Sequence, residues 1–387
     1  MTFSNAHSRL PERCWAEIDL AALERNLMAI KNTLPPHIRY IAVVKADAYG
    51  HGIHQTVARL MHAGIDMFAV ANISEAATIR EIGSGWPILI LSPILEEEQD
   101  FVFDYDIIPT ISSLDEIKRF GETARKRNHP LPIHLKIDTG MGRVGVWHEQ
   151  AQGLINAISD EKYLDLQGVY THFSSAENDL SFTDLQRNRF LDTIGNISPA
   201  AGKNLLIHAD NSSGINSFSD GNSFNAVRVG LLQFGVTPYP KSMLGRALVE
   251  PTFSFKTRIG LIKDLPTGVS ISYGGTHKLN RPSKIAILCS GYGDGIPRSL
   301  SNRGFALIQG ERCPILGNVT MDQTIVDVTD LKNPAKIGDE ACFIGKQGDK
   351  AIRLEEFSEA ANTIPWEILC SITKRVPRIY KTSFATS

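Results

Sequence analysis

The stretch IRYIAVVKADAYGHG (38–52) sets the pattern on which the fold prediction rests. An apolar run of strand length, IRYIAVV (38–44), leads directly into Lys45, and a turn containing Gly and Tyr follows. Continuous apolar strands without alternation are typical of parallel sheets that are buried on both faces. The stretch therefore predicts a buried parallel strand with a lysine at its carboxyl end.

Seven further apolar runs repeat this arrangement: MFAVAN (67–72), PILILS (87–92), DIIPTIS (106–112), PIHLKID (132–138), LQGVYTHF (166–173), NLLIHA (204–209) and AVRVGLLQFG (226–235). Amphipathic stretches lie between most of them. Ser74 heads one such stretch, and in SLDEIKRFGETARKRN (113–128) the acids precede the bases, as the helix dipole favours. A closed barrel and a doubly wound open sheet both use such β/α units, and the count of eight favours the barrel.

The sequence pattern changes after residue 250. The segments that follow are short, β-rich and separated by turns, as in TFSFKTRIGLIKDL and SKIAILCSGYGDGI, and only LEEFSEAANTI (354–364) predicts a helix. CWAEIDL near the start is a further strand candidate. We therefore expect an α/β fold, with an eight-stranded β/α (TIM-like) barrel over 18–250. A mainly β domain over 251–387 would follow it and include an N-terminal strand from 1–17.

The composition argues against several classes of protein. The 387 residues include 40 Lys and Arg against 42 Asp and Glu, and this formal charge of −2 argues against binding to nucleic acid or a membrane surface. No apolar run approaches the roughly 20 residues of a membrane span, and MTFSNAHSRLPERCW lacks the apolar segment of a secretory signal. The five Cys lack metal-site or redox spacing, so we expect a cytoplasmic protein without a metal or disulfides.

Polar residues accumulate where the predicted barrel strands end, which is where barrel active sites lie. They are Lys45, Lys136, Asp138, Arg143, His172, Asn211, Ser212, Ser213, Arg228 and Gly230. Each alone has an ordinary explanation as a helix cap or a rim ion pair, but their shared position favours an active site. A lysine on the first strand suits a Schiff base, and barrels commonly cradle a phosphate after strands seven and eight. The pattern predicts a phosphorylated carbonyl cofactor, and pyridoxal phosphate fits that description.

These segments resemble those of alanine racemases, which are pyridoxal-phosphate-dependent isomerases. AVVKADAYGHG is similar to the family's cofactor-attachment motif, and KIDTGMGRVG, YTHFSSAE, ADNSSG, VRVGLLQFG, SYGGTH, GYGDGI, NVTMDQ and RVPRIY follow in the family's order. The resemblance covers essentially the whole chain. It implies a barrel followed by a β domain and a head-to-tail homodimer with shared active sites. It also implies interconversion of L- and D-alanine by two-base proton transfer at Cα, which supplies D-alanine for cell-wall peptidoglycan.

The resemblance further implies residue roles. Lys45 would bind the cofactor and act as the base on one face of the substrate, and Tyr273 of the partner subunit would act on the other. Arg228 would face the pyridine nitrogen. The implied cofactor-binding residues are Lys45, Tyr49, His172, Asn211, Ser212, Arg228, Gly230, Leu231 and Trp366. The implied substrate-binding residues are Arg143, Met321, Asp322 and Tyr292. Lys136 matches a lysine that is carbamylated in many members, and His172 would hydrogen-bond to Arg228.

Two positions depart from the family pattern: Trp366 replaces a usual Tyr at the phosphate, and Thr320 replaces a common Cys. Three other functions remain as alternatives. A related decarboxylase would place an acid at the ring nitrogen, where this chain has Arg228. A non-catalytic pyridoxal-phosphate carrier would lack the β domain. A racemase for serine or another small amino acid is left open by Trp366.

Overall fold

The computed structural model describes residues 11–176, 178–195, 197, 205–209, 224–237 and 249–382. The chain divides into two compact units. The barrel unit comprises residues 23–250, and the β unit combines the chain up to residue 22 with the chain from residue 251 onward. The β unit is therefore built from both ends of the chain.

The chain enters the described structure through strand β1 (Cys14–Asp19) and helix α1 (Leu20–Thr33). The strands of the barrel unit follow as β2 (Arg39–Val43), β3 (Met67–Val70), β4 (Ile88–Ile90), β5 (Thr110–Ile111), β6 (Leu131–Asp138), β7 (Val146–Trp147), β8 (Leu164–Tyr170), β9 (Leu206–His208) and β10 (Ala226–Val229).

Eight of these strands, all except β7, form one closed ring. β10, β2, β3 and β4 pair in parallel in that order, as do β5, β6, β8 and β9. A parallel bridge between Leu89 and Ile108 joins β4 to the segment before β5. The backbone N–H of Asn225 donates to the carbonyl of Ile207 at 3.0 Å and joins β10 to β9. The predicted eight-stranded barrel is confirmed.

Helices connect most of the barrel strands. They are α2 (Lys45–Tyr49), α3 (Ile53–His62), α4 (Ile73–Ile82), α5 (Gln99–Asp104), α6 (Leu114–Arg127), α7 (Ala151–Asp160) and α8 (Leu180–Ile194). In α6 the Ser113 hydroxyl caps the first turn by accepting the Glu116 N–H at 3.2 Å, and Asn128 ends the helix with φ of 48°. The sequence of this connection thus fixes both of its ends.

The β unit is mainly antiparallel. Its further strands are β11 (Phe253–Leu265), β12 (Ser270–Ile271), β13 (His277–Lys278), β14 (Ser283–Leu288), β15 (Phe305–Ile308), β16 (Glu311–Pro314), β17 (Thr324–Asp327), β18 (Glu340–Gln347), β19 (Lys350–Ile352) and β20 (Arg378–Lys381). The main sheet has the order β16-β15-β18-β11-β1-β20. Two helices, α9 (Leu354–Ala360) and α10 (Pro365–Ser371), complete the unit.

Strand β11 is the element around which the β unit is built. Its first half pairs with β1 and β18, and its second half pairs with β14. The register shifts between Ile259 and Leu261, so the strand bends there and can serve two groups of partners. The predicted mainly β C-terminal region is confirmed. Within the described residues, no helix combines the length and the apolar character that crossing a membrane would require.

Candidate active site

Lys45 follows strand β2 and begins a left-handed turn. Although α2 is helical, φ is 54° at Ala46, 54° at Asp47, 53° at Ala48 and 53° at Tyr49. This left-handed conformation costs an L-residue about 1–2 kcal/mol. A run of four such residues persists only where the surroundings impose it. The turn predicted after Lys45 is therefore a strained element that other parts of the chain must hold.

Two carboxylates hold this turn. Glu75 on α4 accepts the Ala46 N–H at 2.7 Å with one oxygen and the Ala71 N–H at 2.8 Å with the other. It thereby ties the residue after Lys45 to the end of β3. Asp47 accepts the Ile53 N–H at 2.7 Å and so joins the turn to the start of α3. All three bonds have a carboxylate acceptor, which makes them stronger than neutral hydrogen bonds.

The buried side chain of His51 supports the same turn. Its Nδ1 lies 3.0 Å from the carbonyl oxygens of Ala48 and Tyr49. Because a carbonyl oxygen only accepts, Nδ1 carries the proton. The imidazole stacks on the ring of Phe234, with centroids 4.2 Å apart. These contacts fix the backbone on either side of Tyr49, and with it the direction of the Tyr49 side chain.

Tyr49 and Gly230 approach each other closely. A Cβ on residue 230 would lie 2.7 Å from the Tyr49 hydroxyl oxygen, so any other residue there would have to displace that hydroxyl. Gly230 precedes a short 3₁₀ turn that begins at Leu231, and its N–H and that of Leu231 lie at the end of β10. The structure therefore brings together three of the predicted phosphate contacts. Asn211 and Ser212 lie outside the described residues.

Arg228 is the most extensively bonded side chain of the site and is 4% exposed. Its Nη1 lies 2.7 Å from Nδ1 of His208 and 3.0 Å from the His208 carbonyl oxygen. Its Nη2 donates to the carbonyls of Thr171 at 2.7 Å and Ala209 at 3.0 Å, and lies 3.3 Å from Nδ1 of His172. These bonds hold the guanidinium across the ends of β8, β9 and β10.

His208 is a site residue that the sequence analysis missed. The predicted contact between His172 and Arg228 is present, but His208 makes the shorter one. Burial, followed by the positive charge of Arg228, lowers the pKa of both imidazoles well below the usual value. Both rings are therefore neutral and accept from Arg228. Its position could have indicated this role, because His208 ends the seventh predicted barrel strand (β9), where the predicted site begins.

Lys136 lies inside the barrel and is 5% exposed. The pKa of Lys136 is lowered to about 7, chiefly by burial and then by the charges of Arg228 and Arg143. Lys45 also lowers the pKa of Lys136 and that of His172. The Nζ atom of Lys136 stands 5.2 Å from the ring centroid of Tyr170. The structure therefore places the predicted cationic residues within electrostatic reach of one another.

Asp138 shapes the loop that carries Arg143. Its two carboxylate oxygens accept four successive backbone N–H groups, from Gly140 at 2.9 Å, Met141 at 2.8 Å, Gly142 at 2.8 Å and Arg143 at 3.2 Å. This arrangement winds the loop tightly around the carboxylate. The Arg143 side chain is exposed, while its backbone is held in place.

The predicted residues of the β unit lie in connected loops. Tyr273 follows β12 and is 74% exposed. The side-chain amide of Asn318 donates to the Tyr273 carbonyl at 2.8 Å, and the Asn318 carbonyl accepts from the Ser272 hydroxyl at 2.6 Å. These bonds join the Tyr273 turn to the segment that contains Met321 and Asp322.

The same segment is bonded to the turn that carries Tyr292. The Tyr292 N–H donates to the Thr320 carbonyl at 2.9 Å, and the next N–H donates to the Met321 carbonyl at 2.8 Å. Arg375 binds Asp322 at 2.8 Å and the buried Asp294 at 3.2 Å. Tyr273, Tyr292, Met321 and Asp322 thus belong to one bonded set of exposed loops. Trp366 lies half-buried on α10 of the same unit.

The barrel unit therefore offers a lysine on a rigid turn, a close approach of hydroxyl and backbone at Gly230, and a buried arginine. Such a set can attach an aldehyde, hold an anionic group and supply a fixed positive charge. Together with the fold, it defines a class of parallel-barrel enzymes with an appended β unit.

The chain belongs to the alanine racemase family. Its residues 18–238 match the model of the alanine racemase N-terminal domain, and residues 252–380 match that of the C-terminal domain. A curated alanine racemase from Halothermothrix orenii is 38% identical over 376 residues, which is 97% of this chain and 98% of that one. The resemblance inferred from the motifs is confirmed.

Solved structures agree in fold over nearly the full length. The alanine racemase of Clostridium difficile 630 has a TM-score of 0.88 and 33% identity, and the match covers 97% of each chain. The alanine racemase of Bartonella henselae, whose structure has covalently bound pyridoxal phosphate, has a TM-score of 0.87 and 30% identity. That match covers 96% of this chain and 100% of the other.

Proposed function

We propose that the protein is an isomerase that interconverts L- and D-alanine with pyridoxal phosphate as its cofactor. The observation that carries the proposal is Arg228, a permanently charged and buried donor that shares an electrostatic neighbourhood with Lys45. A related decarboxylase needs an acid beside the ring nitrogen, and the permanently protonated guanidinium of Arg228 cannot play that part. The family membership and the presence of the β unit also argue against a carrier protein.

The residues present fit the cofactor. Lys45 supplies the amine for its aldehyde. Because residue 230 has no side chain, the Tyr49 hydroxyl lies close to the backbone there, and the hydroxyl and the backbone N–H groups can bind a phosphate together. Arg228 is oriented by bonds on both terminal nitrogens. When bound, pyridoxal phosphate withdraws electrons from the substrate Cα and so makes the Cα proton removable. Trp366 remains a proposed contact through its single indole N–H.

Two proton carriers are needed because a single base tends to return the proton to the face from which it came. We assign one face of the substrate to Lys45 and the other to Tyr273 of the partner subunit, in a head-to-tail homodimer with shared active sites. In support, Tyr273, Tyr292 and Met321 are 74%, 43% and 52% exposed in the single chain and lie on loops joined by hydrogen bonds, and exposed apolar groups held together in this way are typical of an interaction site. Arg143, Met321, Asp322 and Tyr292 bind or admit the substrate.

Lys136 is the proposed site of carbamylation. Its lowered pKa of about 7 leaves a substantial neutral fraction of the amine near pH 7. The neutral nitrogen attacks carbon dioxide: a C–N bond forms as one C=O π bond breaks, the electron pair of that π bond goes to the oxygen, and the nitrogen gives a proton to water. The resulting anion would offset the positive charges of Arg143 and Arg228 that now surround an amine. We further propose that the enzyme works in the cytoplasm and supplies D-alanine for peptidoglycan.

The test combines activity with mapping of the cofactor. The purified protein should be yellow and should racemise L-alanine, and reduction with borohydride should fix the cofactor to Lys45 on peptide mapping. A parallel survey of L-serine and other small L-amino acids measures the breadth that Trp366 allows. A label on another lysine, or turnover of L-serine well above that of L-alanine, would overturn the corresponding part of the proposal.

A further inference from the structure

Three buried side chains of the barrel unit form a hydrogen-bonded chain. Nη1 of Arg228 lies 2.7 Å from Nδ1 of His208, and Nε2 of His208 lies 3.0 Å from Nδ1 of His134. His208 and His134 are both 0% exposed. The ring of Tyr170 stacks on that of His208 at 4.7 Å with an angle of 7°, which fixes the plane of the imidazole.

The direction of donation along this hydrogen-bonded chain can be read from its Arg228 end. A guanidinium only donates, so Nδ1 of His208 must accept and its proton must lie on Nε2. That Nε2–H then donates to Nδ1 of His134. The proton of His134 must therefore lie on its own Nε2. Burial, with a further effect of Arg228, lowers the pKa of His134 to about 3, so this ring is neutral as the arrangement requires.

Within the part of the protein that the structure describes, the hydrogen-bonded chain ends in an unpaired buried group, which lowers stability. Among the described residues, none makes a hydrogen bond with Nε2 of the buried His134. A donor left in this state usually has a reason, because nearly all buried polar groups are paired. The backbone also makes room for the ring, since a Cβ on residue 168 would lie 2.5 Å from Cε1 of His134, and Gly168 avoids the clash.

We propose that His134 is a positioning residue that holds His208 in the Nε2-protonated form, so that His208 accepts from Arg228 and keeps the guanidinium in place. This proposal rests on the proposed function only in that Arg228 then serves the cofactor ring. The tautomer of His208 with its proton on Nδ1 would direct that N–H at an N–H of Arg228. A histidine that merely fills the core would not constrain the position of the proton on its neighbour.

The direct test measures where the protons are in the unmodified holoenzyme. In NMR spectra of protein labelled with ¹⁵N-histidine, near neutral pH, both His208 and His134 should show a protonated Nε2 and an unprotonated Nδ1. The variants His208→Asn and His134→Asn assign the signals. A neutron structure of the deuterated holoenzyme should show the same positions. A proton on Nδ1 of His208 would overturn the proposal, whether or not any variant folds.

Two isosteric variants separate positioning from packing. Asn and Leu have nearly the same shape, but only the Asn side chain can offer an oxygen where Nδ1 of His134 accepts. We expect His134→Asn to retain the His208 signals and turnover within about threefold of wild type, whereas His134→Leu loses the single His208 form and about 10–100-fold in turnover. Equal His208 signals and equal turnover in the two variants would contradict the proposal.

The two readouts also separate this proposal from the proposed function. Wild-type protein with the expected proton positions but no racemase activity would refute the function and leave the hydrogen-bonded chain intact. An active racemase with a proton on Nδ1 of His208 would refute the chain and leave the function intact.

Discussion

The hydroxyl oxygen of Tyr49 and the α-carbon of Gly230 are so close that a β-carbon on residue 230 would stand 2.7 Å from that oxygen. The two residues lie 181 positions apart: Tyr49 ends α2, the turn that follows β2, and Gly230 directly follows β10, the strand paired with β2. Closure of the barrel is therefore what creates the proposed phosphate site. The left-handed turn after Lys45 aims Tyr49 at this point, and glycine at 230 leaves the space.

Gly230→Ala should weaken cofactor binding. The added methyl must displace the Tyr49 hydroxyl, and overpacking of this kind costs about 1–3 kcal/mol, or about 5–150-fold in the dissociation constant. Titration of the apoprotein with pyridoxal phosphate, followed by absorbance, measures the change. Gly153→Ala is the matched control because nothing lies within 4 Å of a Cβ there. Equal affinity in the two variants would argue against a phosphate at Gly230.

Glu75→Ala should loosen the turn that carries Lys45. It removes the acceptor of the Ala46 and Ala71 N–H groups, and each lost charge-assisted bond contributes about 1.5–3 kcal/mol to stability. Denaturant unfolding should show the loss, and hydrogen exchange at Ala46 should accelerate. Glu81→Ala, at an exposed position of the same helix, should change stability by less than about 0.5 kcal/mol. Unchanged exchange at Ala46 in Glu75→Ala would contradict this role.

Lys136 should make stability depend on pH in carbonate-free buffer. Its pKa is about 7 in the folded protein and 10.5 in the unfolded chain, so between these values only the unfolded chain holds the proton. Stability then rises with pH by at most about 1.4 kcal/mol per unit. Lys136→Met should be more stable than wild type at pH 7, and the difference should shrink toward pH 10.

Unfolding curves at several pH values check this prediction, with Lys162→Met, at an exposed lysine, as the control that shows no such trend. Adding bicarbonate should change the wild-type profile and leave that of Lys136→Met unchanged. A pH-independent difference between wild type and Lys136→Met would mean that the lysine is charged in the folded protein.

The barrel could be predicted from sequence because its evidence is local. Each buried strand is a continuous apolar run, and eight such runs alternate with amphipathic segments. Helix ends were less certain. Ser74 was expected to head its helix, but α4 begins at Ile73 with Asn72 as its cap, since the Asn72 side chain accepts the Glu75 N–H at 2.9 Å. Helix α10 was missed because Pro365 at its first position looks like a breaker.

The details of the site could not be predicted in this way. Ala46 and Ala48 have no intrinsic preference for positive φ, and Glu75, which accepts the Ala46 N–H, lies on another helix. His208 and His134 are 74 residues apart and meet only because β6, β8 and β9 are neighbours in the ring. The resemblance to alanine racemases supplied residues that no local pattern marks, above all Tyr273.

Shared active sites predict complementation between two inactive chains. Lys45→Ala removes the proposed cofactor lysine, and Tyr273→Phe removes the hydroxyl proposed to act in the partner's site. Each homodimer should be nearly inactive, but a mixed dimer has one site in which both groups are present. Differently tagged chains allow the mixed dimer to be purified and assayed. Purified mixed dimers that are as inactive as the parents would argue against a shared site.

The central claim is that Lys45 and Tyr273 serve opposite faces of the substrate Cα, and isotope exchange in deuterated water tests it most directly. Tyr273→Phe should keep the cofactor but lose about 10²–10⁴-fold in racemisation, the usual contribution of a general acid or base. By the family resemblance, Tyr273 takes the proton of L-alanine and Lys45 that of D-alanine. The variant should therefore still exchange deuterium into D-alanine faster than it forms L-alanine, while exchange into L-alanine is severely slowed. Exchange of both enantiomers at the wild-type rate would contradict the two-base account, and loss of exchange from D-alanine alone would reverse the assignment of the faces.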